Sequence, residues 1–221
     1  MERKRASRVL KTLLKTFKLP EWTSSPCKRP FETLIRTIIS QNTSNKNTAR
    51  AFEKLSERFP MTPEAFSNAE LSEIERCLRP AGLYRNKSKI IKKLSRMIIE
   101  EFNGSLEHVL SLPTEEARKV LLGLPGIGRK TADILLLFCA KKPTVPVDTH
   151  VNRVSRRLGL APANGGYEEI RLALQKLYDP KDYLAIHVLL ILLGRSYCKA
   201  RKPLCNSCPM DNLCLQIDVE D

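Results

Sequence analysis

Apolar residues in this 221-residue chain recur every three or four positions and almost never every two. Phe31, Leu34, Ile35, Ile38 and Ile39 mark one helical stripe, and Ile90, Ile91, Leu94, Met97 and Ile98 mark another. The same period predicts helices over 47–59, 63–78, 114–122, 129–140, 149–160, 167–177 and 182–196. Strand-like alternation is hard to find, so the fold class is all-α. Segment 184–193 is apolar on every side and predicts a buried central helix, with His187 as a core histidine whose ring finds partners. The proline-rich stretch around 20–30 and the run Lys141–Pro146 are candidate boundaries.

Charge narrows the class. Lys and Arg number 38 against 24 Asp and Glu, a formal net charge of +14. Such a surplus favours a polyanionic partner. A merely basic soluble protein is the plain alternative. An anionic membrane surface is a third, because Lys4–Lys18 interleaves cations with Leu and Val as a surface helix does. The length allows one or two domains, and 42% hydrophobic residues argue against a disordered chain. The longest apolar run, Leu184–Leu193, has ten residues, half of the roughly 20 a bilayer span requires. The N-terminus lacks a secretory apolar region and cleavage site, so a cytoplasmic location is expected, with the nucleoid as the setting in a prokaryote.

Leu124-Pro125-Gly126-Ile127-Gly128-Arg129-Lys130 lies between two helical patterns. Two glycines around one apolar residue permit a tight turn and a close approach of the backbone. The turn would present N–H groups at a helix N-terminus, which suits a phosphate, while Ile127 points inward and pins the helices. Helix–LPGIG–helix is what a helix–hairpin–helix DNA-binding motif requires; an ordinary glycine-turn αα-hairpin has the same outline. Lys130 falls in the first turn of the second helix, where the macrodipole disfavours a cation and the neutral, nucleophilic amine gains ground. A plain salt bridge to phosphate is the other use of that position.

Val145–Val154 reads as an extended segment running into a helix, with Asp148 or Thr149 as N-cap. A carboxylate there stays ionised, ready to act as a base or to stabilise developing positive charge, or it is only a cap. His150 contacts a phosphate or bonds locally. Four of the seven cysteines fall at Cys198, Cys205, Cys208 and Cys214, in the spacing C-x6-C-x2-C-x5-C. Four thiolates suit zinc or a [4Fe–4S] cluster. One short pair and two longer steps within 17 residues favour a cubane wrapped by a single loop. Lys199, Arg201 and Lys202 crowd that loop and could face phosphates. Cys27, Cys77 and Cys139 lie in or near apolar patterns and read as buried thiols.

Together, in this order, LPGIGRKTAD, VDTHVNRVSRRLGL and GRSYCKARKPLCNSCPMDNLC resemble the endonuclease III family of helix–hairpin–helix DNA glycosylases. ISQNTSNKN and AGLYRNKSK extend the likeness upstream, to about 190 residues. The resemblance implies two helical domains. One is a six-helix barrel over 28–140 that carries the hairpin. The other joins 1–27 to 141–221 and holds a [4Fe–4S] cluster on the four cysteines. A DNA cleft between them is implied, as is a monomer acting on duplex DNA with damaged pyrimidines or abasic sites. Lys130 becomes the nucleophile and Asp148 its carboxylate partner. Gln41 matches the residue that fills the gap left by a flipped base, and Leu83 the wedge on the opposite strand. Leu124, Gly126, Ile127, Gly128, Arg129, His150, Lys199 and Arg201 join them as DNA-contacting positions.

Many members carry an aspartate near the pocket where this chain has Ser44 and Asn45, which leaves lesion preference open. Mismatch thymine glycosylases of the same scaffold carry tyrosine in place of Lys130, and adenine glycosylases lack the lysine. A non-enzymatic DNA-binding module would explain the charge, hairpin and cysteines but would give Asp148 no role beyond capping.

Overall fold

Among the described residues, 2–25, 27 and 29–219 of a computed structural model, every regular element is helical. In chain order they are α1 (Glu2–Thr16), α2 (Pro30–Ser40), α3 (Asn45–Arg58), α4 (Pro63–Asn68), α5 (Leu71–Leu78), α6 (Tyr84–Phe102), α7 (Glu107–Ser111), α8 (Thr114–Gly123), α9 (Arg129–Ile134), α10 (Thr149–Arg157), α11 (Tyr167–Leu177) and α12 (Tyr183–Ser196). The chain divides into an internal unit, Pro26–Lys141, and a split unit, Met1–Ser25 with Lys142–Asp221. No described helix is long and apolar enough to cross a membrane.

The internal unit is built on the two stripes. Leu34, Ile35, Ile38 and Ile39 of α2 and Ile91, Leu94 and Ile98 of α6 have no exposed surface and share one core with Phe66, Ile74 and Leu78. Each such side chain contributes about 1.5–3 kcal/mol on burial. Helix α3 starts at Ser44, whose hydroxyl accepts the Asn47 N–H at 3.2 Å, so Ser44 serves here as a cap. The helix predicted over 63–78 is broken at Ala69, whose backbone turns extended. Ser67 and Asn68 are weak helix formers, and the Lys92 ammonium of α6 takes the Ala69 carbonyl that the break frees.

The helix predicted over 129–140 widens into a π-helical turn at Leu135–Cys139. Cys139 does not remain a thiol. It is bonded to Cys27 across 112 residues of sequence, with Cα atoms 4.7 Å apart. The two cysteines lie at the opposite ends of the internal unit, and the fold brings those ends together. Cys77 does remain a thiol, half-buried, and burial pushes its pKa up.

In the split unit, α12 is the buried centre. Ile186, His187, Val188, Leu189, Leu190 and Leu193 are all enclosed, and the His187 ring donates to the Pro146 carbonyl at 2.8 Å. A Cβ on Gly194 would lie 2.9 Å from His150 Nδ1 and 3.1 Å from Val154, so the glycine lets α10 cross α12 closely. Helix α10 stops at Arg157, short of the predicted 160, because Gly159 turns left-handed and the Leu160 N–H returns to the Ser155 carbonyl at 2.8 Å. Helix α1 buries Ala6, Val9, Leu10 and Leu13. Its Arg5 guanidinium reaches the carbonyls of Leu158, Gly159 and Leu213.

Candidate active site

The hairpin between α8 and α9 belongs to the internal unit. Leu124 and Ile127 are buried and pin it, and the Ile127 N–H closes the turn on the Leu124 carbonyl at 3.2 Å. Its two glycines are there for different reasons. Gly126 has φ +78°, and a Cβ there would lie 2.4 Å from Ile90 Cγ2, so conformation and packing both demand glycine. Gly128 is extended, with φ −91° and ψ 176°, and nothing stands within 4 Å of where its Cβ would be. Neither backbone nor core requires glycine there; its bareness leaves the backbone open from outside. Gly128 also caps α9, whose first N–H groups have no carbonyl one turn back. Arg129 and Lys130 follow, both exposed.

Two contacts steady this turn. Arg118 of α8 donates twice to Asp133 of α9, at 2.9 and 3.2 Å, with both side chains buried. That fork fixes the crossing of the hairpin helices. The Gln41 side-chain amide donates to the Gly126 carbonyl at 3.1 Å, so Gln41 sits against the hairpin. Leu83 stands on another loop, 62% exposed and left-handed, with φ +47°.

In the split unit, Asp148 is the N-cap of α10, its Oδ1 accepting the Val151 N–H at 2.7 Å. His150 lies half-buried beside it. Burial is the main cause that lowers its pKa; Arg153 and Arg195 lower it further, while Asp148 and a Gly194 hydrogen bond oppose them. The Arg153 guanidinium joins three elements. It reaches His150 Nδ1 at 3.1 Å, the Gly194 carbonyl at 3.1 Å and the Cys198 carbonyl at 2.9 Å. The start of α10 is thereby tied to the start of the cysteine loop.

Cys198, Cys205, Cys208 and Cys214 line one cavity with Leu158, Leu193, Tyr197 and Met210. Burial pushes the Cys208 thiol up to about 11 and raises Cys214, and the neighbouring thiols add to both. Among the described residues no three His, Cys, Asp or Glu side chains close around a point that would hold a metal ion. Arg157 fixes the loop backbone through the carbonyls of Lys199, at 2.7 Å, and Ala200, at 3.2 Å. The side chains of Lys199 and Arg201 are exposed. Arg118, Asp133, Arg153 and Arg157 carried no local signal in the sequence, because each acts through partners in other elements.

The family model for HhH-GPD superfamily base excision DNA repair proteins matches residues 35–180. Endonuclease III of Thermotoga maritima is 38% identical over 185 residues, covering 84% of this chain and 82% of that protein. Endonuclease III of Sulfolobus acidocaldarius is 35% identical over 185 residues, covering 83% of this chain and 81% of that protein. The structure of a trapped endonuclease III–DNA covalent intermediate matches with a TM-score of 0.83 at 33% identity, over 97% of this chain and 96% of that one. The helix–hairpin–helix turn, the lysine after it and the capping aspartate thus sit in a chain that belongs to the endonuclease III family, within the HhH-GPD superfamily of base excision DNA repair proteins.

Proposed function

We propose that this chain releases oxidised pyrimidines from duplex DNA as a glycosylase and then, as a lyase, nicks the strand 3′ to the abasic site. Lys130 carries the reading. It is an exposed amine in the first turn of α9, directly after the bare Gly128 backbone and Arg129, and no hydrogen bond or ion pair ties it among the described residues. The neutral amine attacks C1′ of an extruded nucleotide, and the glycosidic bond breaks with its electron pair leaving on the base. Asp148 takes the proton that the lysine sheds, or balances the positive charge developing on the sugar. The sugar ring then opens, the C1′–O4′ bond breaking with its electron pair and a proton going to O4′, and the iminium this leaves at C1′ acidifies the C2′–H. Loss of that proton expels the 3′ phosphate by β-elimination, and water then frees the lysine.

Gln41 fills the space the base vacates and Leu83 wedges the opposite strand. Leu124, Gly126, Ile127, Gly128 and Arg129 present the hairpin to a backbone phosphate, and His150, Lys199 and Arg201 add contacts from the split unit. Helix α1 adds a row of exposed cations, Lys4, Arg8, Lys11 and Lys15, opposite its buried face. A duplex is the polyanion that suits them. The protein acts as a monomer in the cytoplasm.

Cys198, Cys205, Cys208 and Cys214 would hold a [4Fe–4S] cluster. Four thiols lining one cavity within 17 residues of chain suit such a group. When bound, the cluster cross-links the loop and can carry an electron. Arg153 and Arg157 hold the backbone beside the first of these cysteines.

The test is base release and nicking on duplexes bearing thymine glycol, dihydrouracil, an abasic site or a mismatch. Release of both oxidised bases with nicking is the expected result. Release without nicking would make the protein a monofunctional glycosylase, and binding without release a DNA-binding module.

A further inference from the structure

Lys87, a lysine with no part in the proposed chemistry, is held more tightly than Lys130. It is 3% exposed, in the first turn of α6. Its Nζ donates to the Ile39 carbonyl at 2.8 Å and to the Ala81 carbonyl at 3.0 Å. No carboxylate pairs with it among the described residues, and burial holds its pKa below the usual lysine value. A buried cation balanced only by carbonyl dipoles is costly, and it persists where those carbonyls need it.

One carbonyl belongs to the last turn of α2 and the other to the turn that precedes α6. Ile39 lies two residues before Gln41, and Ala81 two residues before Leu83. The Thr43 hydroxyl donates to the same Ala81 carbonyl. One ammonium and one hydroxyl therefore tie the base of the 41–43 loop to the base of the 81–83 loop. Both loops contain left-handed residues, Asn42 at φ +52°, Gly82 at φ +64° and Leu83 at φ +47°. An exposed leucine keeps that conformation only where the surrounding structure enforces it.

We propose that Lys87 is a positioning residue for base extrusion: it fixes the Gln41 and Leu83 loops relative to one another, so that both side chains engage the duplex together. This rests on the glycosylase reading above. Lys87 touches neither base nor sugar and acts through the loops it ties.

The experiment is single-turnover base release from two thymine glycol duplexes, one with adenine opposite the lesion and one with the lesion in a one-nucleotide bulge. In the bulge much of the unpairing has already occurred. Lys87→Met fills the same space without donors. It is expected to slow release from the paired duplex about 30-fold and from the bulge by less than about 3-fold. Lys87→Arg, which keeps the donors, is expected to recover part of the paired rate. Thr43→Val removes only the hydroxyl tie. It is expected to show the same preference at smaller amplitude, and it decides the matter if Lys87→Met does not fold. In a chain already carrying Gln41→Ala and Leu83→Ala, Lys87→Met is expected to add no further loss of paired over bulged substrate. Equal slowing on both duplexes, no slowing in either variant, or a fully additive loss would each overturn the proposal. Should the wild-type protein release thymine glycol from neither duplex, it is the glycosylase reading that fails.

Discussion

The lysines near the starts of α6 and α9, both in the internal unit, are treated in opposite ways. Lys87, near the start of α6, is buried with its ammonium on two carbonyls. Lys130, near the start of α9, is exposed and untied among the described residues. The loop before each helix makes the difference. Before α6, the Ala81 carbonyl faces inward and accepts both Lys87 and Thr43. Before α9, three of the carbonyls are already engaged: Leu124 by the Ile127 N–H, Gly126 by Gln41 and Gly128 by the Ala132 N–H. A cation at a helix N-terminus becomes a brace where free carbonyls surround it and stays available for chemistry where they do not.

That contrast is open to direct attack. Lys130→Ala is expected to lower nicking of an abasic duplex by about three orders of magnitude or more, because it removes the proposed nucleophile. Its thermal midpoint should barely move, since the side chain is exposed. A variant that still nicks at a tenth of the wild-type rate would break the comparison. The hairpin glycines give the next largest effect. Gly126→Ala drives a Cβ into Ile90 at a left-handed position, and denaturant unfolding should show a loss of about 2–4 kcal/mol. Gly128→Ala meets nothing, and its stability should stay within about 0.5–1 kcal/mol while affinity for DNA falls. Equal destabilisation by both substitutions would mean that the two glycines do the same job.

Smaller effects test the surroundings. Replacing Lys4, Arg8, Lys11 and Lys15 by Gln should make log affinity fall less steeply with log salt, by up to about 0.9 in slope for each phosphate these cations neutralise. An unchanged slope would take α1 off the DNA. His150 should give the smallest shift. Its pKa is lowered in the fold, so the folded protein binds fewer protons there than the unfolded chain does. The associated stability is present above the ordinary imidazole value of about 6.5 and is lost as pH falls through the folded value. His150→Asn should therefore make the decline of the thermal midpoint between about pH 7.5 and pH 5.5 shallower. A decline as steep as in the wild type would assign it to other groups.

Local features were legible in the sequence. The α2 and α6 stripes, the all-round apolar α12, the burial of Ile127 and the Asp148 cap each follow from residue types within one or two turns. What escaped was long-range. The Cys27–Cys139 disulfide joins the two ends of the internal unit, and apolar context reads both cysteines as thiols. The α4–α5 break depends on Lys92 reaching across from another helix. Lys87, Arg118 and Arg153 look in sequence like ordinary surface cations; only the fold supplies the carbonyls, the carboxylate and the imidazole they hold.

The central claim is that the amine at position 130 becomes covalently joined to a DNA sugar. Borohydride reduction during turnover of an abasic duplex, followed by peptide mapping of the adduct, tests this directly. The account predicts one stable cross-link, carried by Lys130 and absent from Lys130→Ala. A wild-type protein that cannot be trapped, or an adduct that forms equally well without Lys130, would contradict it.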